Sequence, residues 1–409
     1  MTDQKQKALP FSNYQKMVLF LLSLTLFTVM LDFVIMSPLS DIMMKSLKIT
    51  ASQFGVAVSS YAFSAGISGL LAAGFADRFD RKKLLIFFYI GFVLGTLFCG
   101  LAPNYILLVI ARIFTGIFGG VIGAMCMTIV ADMFGLDQRG KATGFLQLGF
   151  AVSQVLGIPI GLYFANEMGW QMPFIWIAVM ASVITLALLI KLKPITEHLT
   201  LKQNHSPIKH LTNTIAQKKY HFGFIATTLL SISGFIMMPF DSAYLINNLK
   251  ISADQLPLMY ISTGIASLIV IPLIGKMSDS VNKFKLFTFC TLIAVVIVNI
   301  YARFSTTSFV VVLVTDVLAM LFIMSRMIPS QALISAIPNP EDRGAFMSIN
   351  SSLQQMASGL GAILAGYIVV QKNSFSALEN YGYLAIVASI FMLSSIYLIY
   401  KISKNVESK

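Results

Sequence analysis

The chain has 409 residues, of which 57% are hydrophobic and 11% are charged, with a mean hydropathy of +0.80. Soluble domains carry about a quarter charged residues, so this composition excludes a soluble globular protein and indicates a polytopic membrane protein. A formal net charge of +12 is also typical of nucleic-acid-binding proteins, but the cations lie in short loops between apolar runs, so we expect no nucleic-acid partner.

Twelve apolar runs are each long enough to cross the ~30 Å hydrocarbon core of a bilayer as a helix. They cover residues 17–37, 53–73, 84–102, 105–131, 143–165, 172–191, 222–246, 257–275, 284–302, 308–331, 344–370 and 382–400. The polar residues 1–16 lead into the first run without a small-residue cleavage signal, so we expect a first span rather than a removed leader. All three cysteines (Cys99, Cys126 and Cys290) lie inside apolar runs, so we expect no disulfides, and we predict no metal and no cofactor.

The loop between spans 2 and 3 sets the predicted orientation. It carries four cations within residues 78–83, and a short loop this basic is normally left in the cytoplasm. An even number of spans puts both termini on that same side, where the loops and tails hold 22 Lys and Arg residues against five on the other side. We therefore expect an integral protein of a bacterial inner membrane with both termini in the cytoplasm.

A polar linker at residues 193–220 divides the spans six and six, giving an amino-terminal half at 1–192 and a carboxyl-terminal half at 221–409. Shifting the second half back by 204 positions places Glu341-Asp-Arg-Gly344 on Asp137-Gln-Arg-Gly140 without gaps across spans 4 and 5. Repeated halves of this kind are an architecture of secondary transporters. The predicted fold is an all-α membrane protein with two pseudo-symmetric six-helix bundles and a substrate path between them.

The basic loop carries a family resemblance. In the major facilitator superfamily this loop reads Gly-x-x-x-Asp-Arg-x-Gly-Arg-Arg/Lys, and the chain departs from that signature only at Ala73 and Asp80, where glycines are usual. The residues kept in register are Asp77, Arg78, Arg81 and Lys82. With its twelve spans and a weaker copy of the loop between spans 8 and 9, the chain resembles this superfamily over nearly its whole length.

Two spans resemble the twelve-span drug/proton antiporters within that superfamily. Span 4 contains Arg112-Ile-Phe-Thr-Gly116, which is similar to their Arg-x-x-x-Gly pattern. Span 5 contains Gly157-Ile-Pro159-Ile-Gly161, which is similar to the antiporter signature in the form found in the sugar-efflux and arabinose-efflux branch. The resemblance implies a proton-coupled exporter.

Five ionisable residues lie inside predicted spans, where a charge costs at least ~2.5–3.5 kcal/mol and therefore indicates a function. They are Asp32, Arg112, Asp241, Asp316 and Arg326. Asp32 lies ~8 Å from the outer end of span 1, and Arg112 lies ~12 Å from the outer end of span 4. At these depths the two side chains could meet. We interpret Asp32 as a proton carrier held ionised by Arg112, with a fixed structural ion pair as the alternative.

The second half offers different charges at matching positions. Asp241 matches Asp32, and Asp316 falls on Arg112 under the 204 shift, so a carboxylate replaces the cation. Both are further proton-coupling candidates. Arg326 lies near the predicted inner end of span 10, and we interpret it as snorkelling to the interface.

The resemblance also implies a gate at the cytoplasmic face. There, Asp77 is expected to contact the amino end of span 11, and the loop cations are expected to contact Asp132 at the end of span 4. A carboxylate at a helix amino terminus gains ~0.3–1 kcal/mol, so these contacts would hold the gate shut in one conformation.

Three function classes compete. The first is a proton-coupled exporter of drugs, sugars or metabolites that works as a monomer, with protons, a small molecule and the bilayer as its partners. The second is a proton-driven importer of a sugar or organic anion. The third is an intramembrane enzyme or receptor, but the sequence lacks His-Glu-x-x-His, Gly-x-Ser-x-Gly and Walker motifs, so we expect no enzyme activity.

The predicted topology can be tested with reporter fusions. Because the linker and the loop after span 7 lie on opposite sides, fusions after Lys202 and after Ala253 should give opposite readouts of cytoplasmic and external activity. Identical readouts from the two fusions would rule out this topology.

Overall fold

The computed structural model of the protein describes residues 11–200, 207–339, 341–373 and 375–407. The first ten residues and residues 201–206 of the predicted linker lie outside the described residues. The described chain is almost entirely helical, and its only β pairing is an isolated bridge between Val370 and Glu379.

Eleven helices in the described ranges are long and apolar enough to cross a membrane. They are α1 (Asn13–Val34), α2 (Ala51–Ala72), α3 (Arg81–Leu101), α4 (Tyr105–Met133), α5 (Gln138–Met168), α6 (Met172–Lys191), α7 (Lys218–Asn247), α8 (Ala253–Ser280), α9 (Lys283–Tyr301), α10 (Phe309–Ser335) and α12 (Tyr381–Val406). A twelfth long helix, α11 (Arg343–Ile368), lies between α10 and α12. The twelve predicted spans thus each correspond to a helix.

The helices pack as two bundles of six. In the first, α1 packs on α5 and α6, α2 packs on α4, and α3 packs on α4 and α6. In the second, α7 packs on α11 and α12, α9 packs on α10 and α12, and α8 packs on α10. The bundles meet along α2 and α11 and along α5 and α8. The fold class expected from the sequence is confirmed.

The helix α11 is the least obvious span because Ser, Asn, Gln and Gly recur along it. Its small residues let it lie against α2 of the other bundle. A Cβ at Gly55 would lie 2.6 Å from the Ala362 carbonyl oxygen, and a Cβ at Gly366 would lie 2.9 Å from that of Ala51. This close backbone approach is typical of membrane helices that pack through small residues.

Side-chain caps determine where several spans begin. Ser12 and Thr50 each form a capping box, with Gln15 and Gln53 respectively. At the start of α3, Asp80 Oδ1 accepts hydrogen bonds from the backbone nitrogens of Lys82 at 2.9 Å and Ile195 at 3.0 Å. Asp80 stands where the loop signature has a glycine. It therefore caps α3 and also binds the segment that follows α6.

Three spans are interrupted close to candidate residues. A π-helical turn occupies Ser153–Gly157 of α5, and a 3₁₀ turn occupies Met238–Phe240 of α7 around Pro239. In α10 the α-helix ends at Ser325 and resumes at Met327. Such breaks inside a membrane require that other protein groups or water satisfy the freed backbone groups.

The packing of α2 on α4 also depends on the absence of side chains at glycines. A Cβ at Gly120 would lie 2.2 Å from the Ala65 carbonyl oxygen, and one at Gly116 would lie 2.5 Å from the Tyr61 carbonyl oxygen. Both contacts are to backbone, which cannot move aside as a flexible side chain can.

We therefore expect Gly120→Ala to destabilise the protein by about 1–3 kcal/mol, because the added methyl group forces α2 and α4 apart. Unfolding in detergent titrated with sodium dodecyl sulfate would measure the change. The matched control is Gly144→Ala in α5, where a Cβ has no neighbour within 4 Å. Equal stability of the two variants would contradict the packing account.

Candidate functional site

The first bundle contains a fully buried ion pair between α1 and α4. Arg112 Nη1 donates to Asp32 Oδ2 at 2.7 Å, and neither side chain is exposed. Asp32 Oδ1 also accepts a hydrogen bond from the Thr96 hydroxyl of α3 at 3.1 Å. The two residues that the sequence singled out by depth are therefore in direct contact, and a third helix orients the carboxylate.

The Arg112 guanidinium retains capacity for a further ligand. Its carbon lies 4.5 Å from the centre of the Tyr61 ring, a cation–π geometry that stabilises a desolvated cation. Within the described part of the chain, Nε and Nη2 have no hydrogen-bond partner. Arg112 can therefore donate a hydrogen bond to another acceptor group while it remains bonded to Asp32.

The second bundle contains two buried carboxylates. Asp241 at the break in α7 is 3% exposed, and Asp316 in α10 is 5% exposed. The Tyr301 hydroxyl donates to Asp241 Oδ1 at 2.8 Å and also interacts with Asp316. The two carboxylates are near enough to interact electrostatically, and Tyr301 lies beside both of them.

Tyrosines complete this second site. The hydroxyls of Tyr260 and Tyr381 are buried near the carboxylates. The Tyr381 hydroxyl and Asp316 Oδ1 have no hydrogen-bond partner among the described residues. No Lys or Arg of the described chain forms an ion pair with either carboxylate. The sequence analysis missed these tyrosines, because single tyrosines in apolar runs give no signal until the fold brings them together.

The two bundles are joined at the membrane face opposite the termini, which we call the distal face. Asn247 of α7 donates to Asp41 Oδ1 at 2.6 Å, and the Ala243 nitrogen donates to the Ser40 hydroxyl at 3.2 Å. Ser40 and Asp41 begin a short helix, Ser40–Leu47, between α1 and α2. This contact could not be predicted from the sequence, because it forms only when the two bundles pack against each other.

A small cavity lies between the bundles below that contact. Its volume is about 20 Å³, enough for roughly one water molecule. Its walls include Phe33 and Met36 from the first bundle and Phe235 and Met238 from the second. This cavity between the bundles is therefore small and mostly apolar in this conformation.

The signature loop lies at the face that carries the termini. Arg81 Nη2 donates to Asp77 Oδ1 at 2.8 Å, and Arg81 Nε donates to Asp132 Oδ2 at 3.1 Å. Lys82 donates to the Leu189 carbonyl oxygen at 2.9 Å, while Arg78 is exposed. The expected contact between loop cations and Asp132 is thus present.

The expected contact of Asp77 with α11 is not formed in this conformation. Asp77 is 47% exposed at its side chain and, among the described residues, forms its ion pair within its own loop. At the start of α11, Asp342 instead accepts a hydrogen bond from the Tyr220 hydroxyl at 2.6 Å. This hydrogen bond, together with one from Gln217 and the nearby charge of Lys219, lowers the pKa of Asp342.

The antiporter-like motif of α5 packs against the span that carries Asp32. A Cβ at Gly157 would lie 2.8 Å from Leu31, and one at Gly161 would lie 2.7 Å from Ile35. Pro159 lies in the first turn of the α-helix Ile158–Met168, which follows the π-helical turn. The motif therefore places a helix irregularity beside the Asp32 segment of α1.

The interpretation of Arg326 as a snorkelling side chain is wrong. The residue is fully buried and donates to the Ser233 hydroxyl at 2.7 Å. The span continues to Ser335, nine residues or ~14 Å beyond Arg326, so the side chain lies too deep to reach the interface.

The sequence matches one family over most of its length. The model of the Major Facilitator Superfamily matches residues 21–240 and 223–408. The chain belongs to the Major Facilitator Superfamily. It is therefore a membrane transporter of small molecules and not an enzyme.

Its relatives within the superfamily include a multidrug resistance protein and a sugar efflux transporter. The chain is 26% identical to the uncharacterized MFS-type transporter YbcL of Bacillus subtilis (strain 168), over 92% of this chain and 96% of that protein. It is 24% identical to Multidrug resistance protein 2 of the same organism, over 87% of this chain and 90% of the other. A probable sugar efflux transporter of Mannheimia succiniciproducens is 24% identical over 60% of each chain.

Solved structures of the superfamily share the fold. A bacterial homolog of the human lysosomal transporter Spinster, in an inward-facing and unoccupied conformation, matches with a TM-score of 0.77 and 14% identity, over 98% of this chain and 99% of that chain. The xylose transporter XylE from E. coli, in an inward open conformation, matches with a TM-score of 0.72 and 17% identity, over 93% and 96% of the two chains.

We expect Asp77→Asn to slow turnover while leaving substrate binding largely intact, because Asp77 lies in the loop and far from the central cavity. Comparing transport rate with equilibrium binding in the same purified protein would measure this. A matched control is Asp279→Asn, the corresponding residue of the second bundle under a shift of 202. If binding falls as much as transport in Asp77→Asn, the gating role is wrong.

Proposed function

We propose that this transporter is a proton-coupled antiporter that exports small organic molecules by alternating access. The observation that carries the proposal is the buried pair of Asp241 and Asp316, which has no cation among the described residues. The proposal includes a bacterial inner membrane location, cytoplasmic termini and action as a monomer.

A proton is the simplest partner for this carboxylate pair. Two ionised carboxylates this deeply buried would repel each other and lose most of their hydration, which is costly in a low-dielectric interior. At least one of them is therefore expected to hold a proton while the site is closed. Opening the site to water would favour release of that proton, and this difference between conformations is what coupling requires.

Asp32 has a different environment, so we propose a different role for it. Its charge is compensated by Arg112 at 2.7 Å and stabilised by Thr96, so it can remain ionised in this conformation. Binding of a proton or a substrate group at Asp32 would release Arg112, whose other nitrogens already lack partners. The sequence-based prediction that Asp32 carries the coupling proton is untested and is the alternative to this proposal, and the same experiment distinguishes the two sites.

Export is supported by the sequence motif and by the character of the cavity. The Gly157-Ile-Pro159-Ile-Gly161 motif that resembles exporters contacts α1 through both of its glycines. The cavity is lined by Phe and Met side chains, which adapt to varied apolar ligands. Two of the relatives are named as a multidrug resistance protein and a sugar efflux transporter.

Transport by variants in proteoliposomes tests the proposal. Radiolabelled chloramphenicol, ethidium, arabinose and the organic anion 2-naphthoate would serve as probes, each measured as pH-gradient-driven flux and as counterflow without a gradient. We expect Asp241→Asn and Asp316→Asn to lose gradient-driven flux at least ten-fold while keeping counterflow, because Asn cannot exchange a proton.

The matched control is Asp32→Asn, which leaves Arg112 buried without its carboxylate. We expect this variant to slow both kinds of transport together. Loss of gradient-driven flux alone in Asp32→Asn, with both second-bundle variants coupled normally, would place the proton at Asp32. No gradient-driven flux of any probe in the unmodified protein would contradict the exporter.

A further inference from the structure

The most unusual charge in the described chain is Arg326, at the interruption of α10. It is fully buried near the middle of a span that extends over 27 residues, Phe309–Ser335. A guanidinium at this depth is costly unless charges or hydrogen bonds compensate it. Arg112, the other deeply buried arginine, has such compensation from Asp32.

Arg326 has only part of the compensation that a guanidinium needs. Its Nη2 donates to the Ser233 hydroxyl at 2.7 Å and to the Leu230 carbonyl oxygen at 3.4 Å. Its Nε and Nη1 have no hydrogen-bond partner, and no carboxylate of the described chain forms an ion pair with it. The site therefore offers unused donors and an uncompensated positive charge.

The side of α7 that faces Arg326 carries no side chain at residue 234. A Cβ at Gly234 would have Arg326 Nη2 at 3.8 Å and Ile323 at 4.0 Å as its nearest neighbours, so the glycine lies directly beside the guanidinium. The next residue, Phe235, lines the cavity between the bundles. When the bundles separate and this cavity widens, an anionic group beside Gly234 could reach the guanidinium while the apolar body of the molecule lay between the bundles.

We propose that Arg326 is the recognition site for a carboxylate on the transported molecule, so that the substrates are amphipathic organic anions. This deepens the proposed function and rests on it, because it assumes that small organic molecules use the path between the bundles. Arginine suits the role because its planar fork can bind both oxygens of one carboxylate. The positions of Asp241 and Asp316 in α7 and α10 leave proton coupling to a separate site.

Equilibrium binding of tritiated 2-naphthoate to the purified full-length protein tests the proposal. The neutral comparison is 2-naphthalenemethanol, which keeps the aromatic body and lacks the charge. We expect Arg326→Gln to weaken 2-naphthoate binding at least ten-fold and to leave the alcohol unaffected. Arg326→Lys should lose less, because it keeps the charge but not the fork.

A second variant covers the case in which Arg326→Gln does not fold. Gly234→Ala keeps the guanidinium and places a methyl group beside it, so 2-naphthoate binding should weaken several-fold while the alcohol is unaffected. Gly275→Ala in α8, where a Cβ has no neighbour within 4 Å, is the matched control. Thermal unfolding of each variant checks that the fold is retained.

The possible results separate this proposal from proton coupling. Undiminished 2-naphthoate binding in Arg326→Gln or Gly234→Ala would overturn the proposal that Arg326 recognises a carboxylate. Equal affinity of the unmodified protein for 2-naphthoate and 2-naphthalenemethanol would also overturn it, and so would the absence of 2-naphthoate binding. Binding needs no gradient, so Asp316→Asn should bind 2-naphthoate normally. Loss of gradient-driven flux in Asp316→Asn then bears on the proposed function alone.

Discussion

The cost of burying charge in a membrane determines how the candidate residues are arranged. A charged side chain at the centre of a bilayer costs at least ~2.5 kcal/mol, so each one needs a partner, a proton or a ligand. Asp32 and Arg112 neutralise each other at 2.7 Å. Among the described residues, Asp241 and Asp316 have a tyrosine but no cation beside them, and Arg326 has a hydroxyl but no anion. The charges of the first bundle thus compensate each other, whereas the carboxylates and the arginine of the second bundle each need a proton or a ligand.

This difference in charge compensation agrees with a transporter in which the two bundles have different functions. The bundles share an architecture, and the distal contact of Asp41 with Asn247 joins them. Two of the interrupted helices, α7 and α10, belong to the second bundle and carry its buried charges. A broken helix can change shape more cheaply than a continuous one, because fewer backbone hydrogen bonds must be exchanged. Under the proposed function, movement at these breaks links proton binding to opening of the path.

Much of the fold could be predicted because the bilayer imposes strong rules on sequence. The twelve spans followed from run length, and the meeting of Asp32 with Arg112 followed from matching depths on α1 and α4. The interpretation of Arg326 is wrong because the predicted span ends near residue 331, whereas α10 continues to Ser335. The cluster around Tyr301 could not be predicted, because packing between α7, α9 and α10 brings its members together from distant parts of the chain. Whether Asp77 contacts α11 depends on the conformation, which the sequence does not specify.

The central claim is that Asp241 and Asp316 together hold a proton within the membrane. Infrared difference spectroscopy of the purified protein between neutral and alkaline pH tests it most directly, because a protonated carboxyl has a carbonyl stretch that a carboxylate lacks. The account predicts such a band at neutral pH that disappears in both Asp241→Asn and Asp316→Asn and persists in Asp32→Asn. Absence of the band in the unmodified protein, or its loss only in Asp32→Asn, would contradict the account.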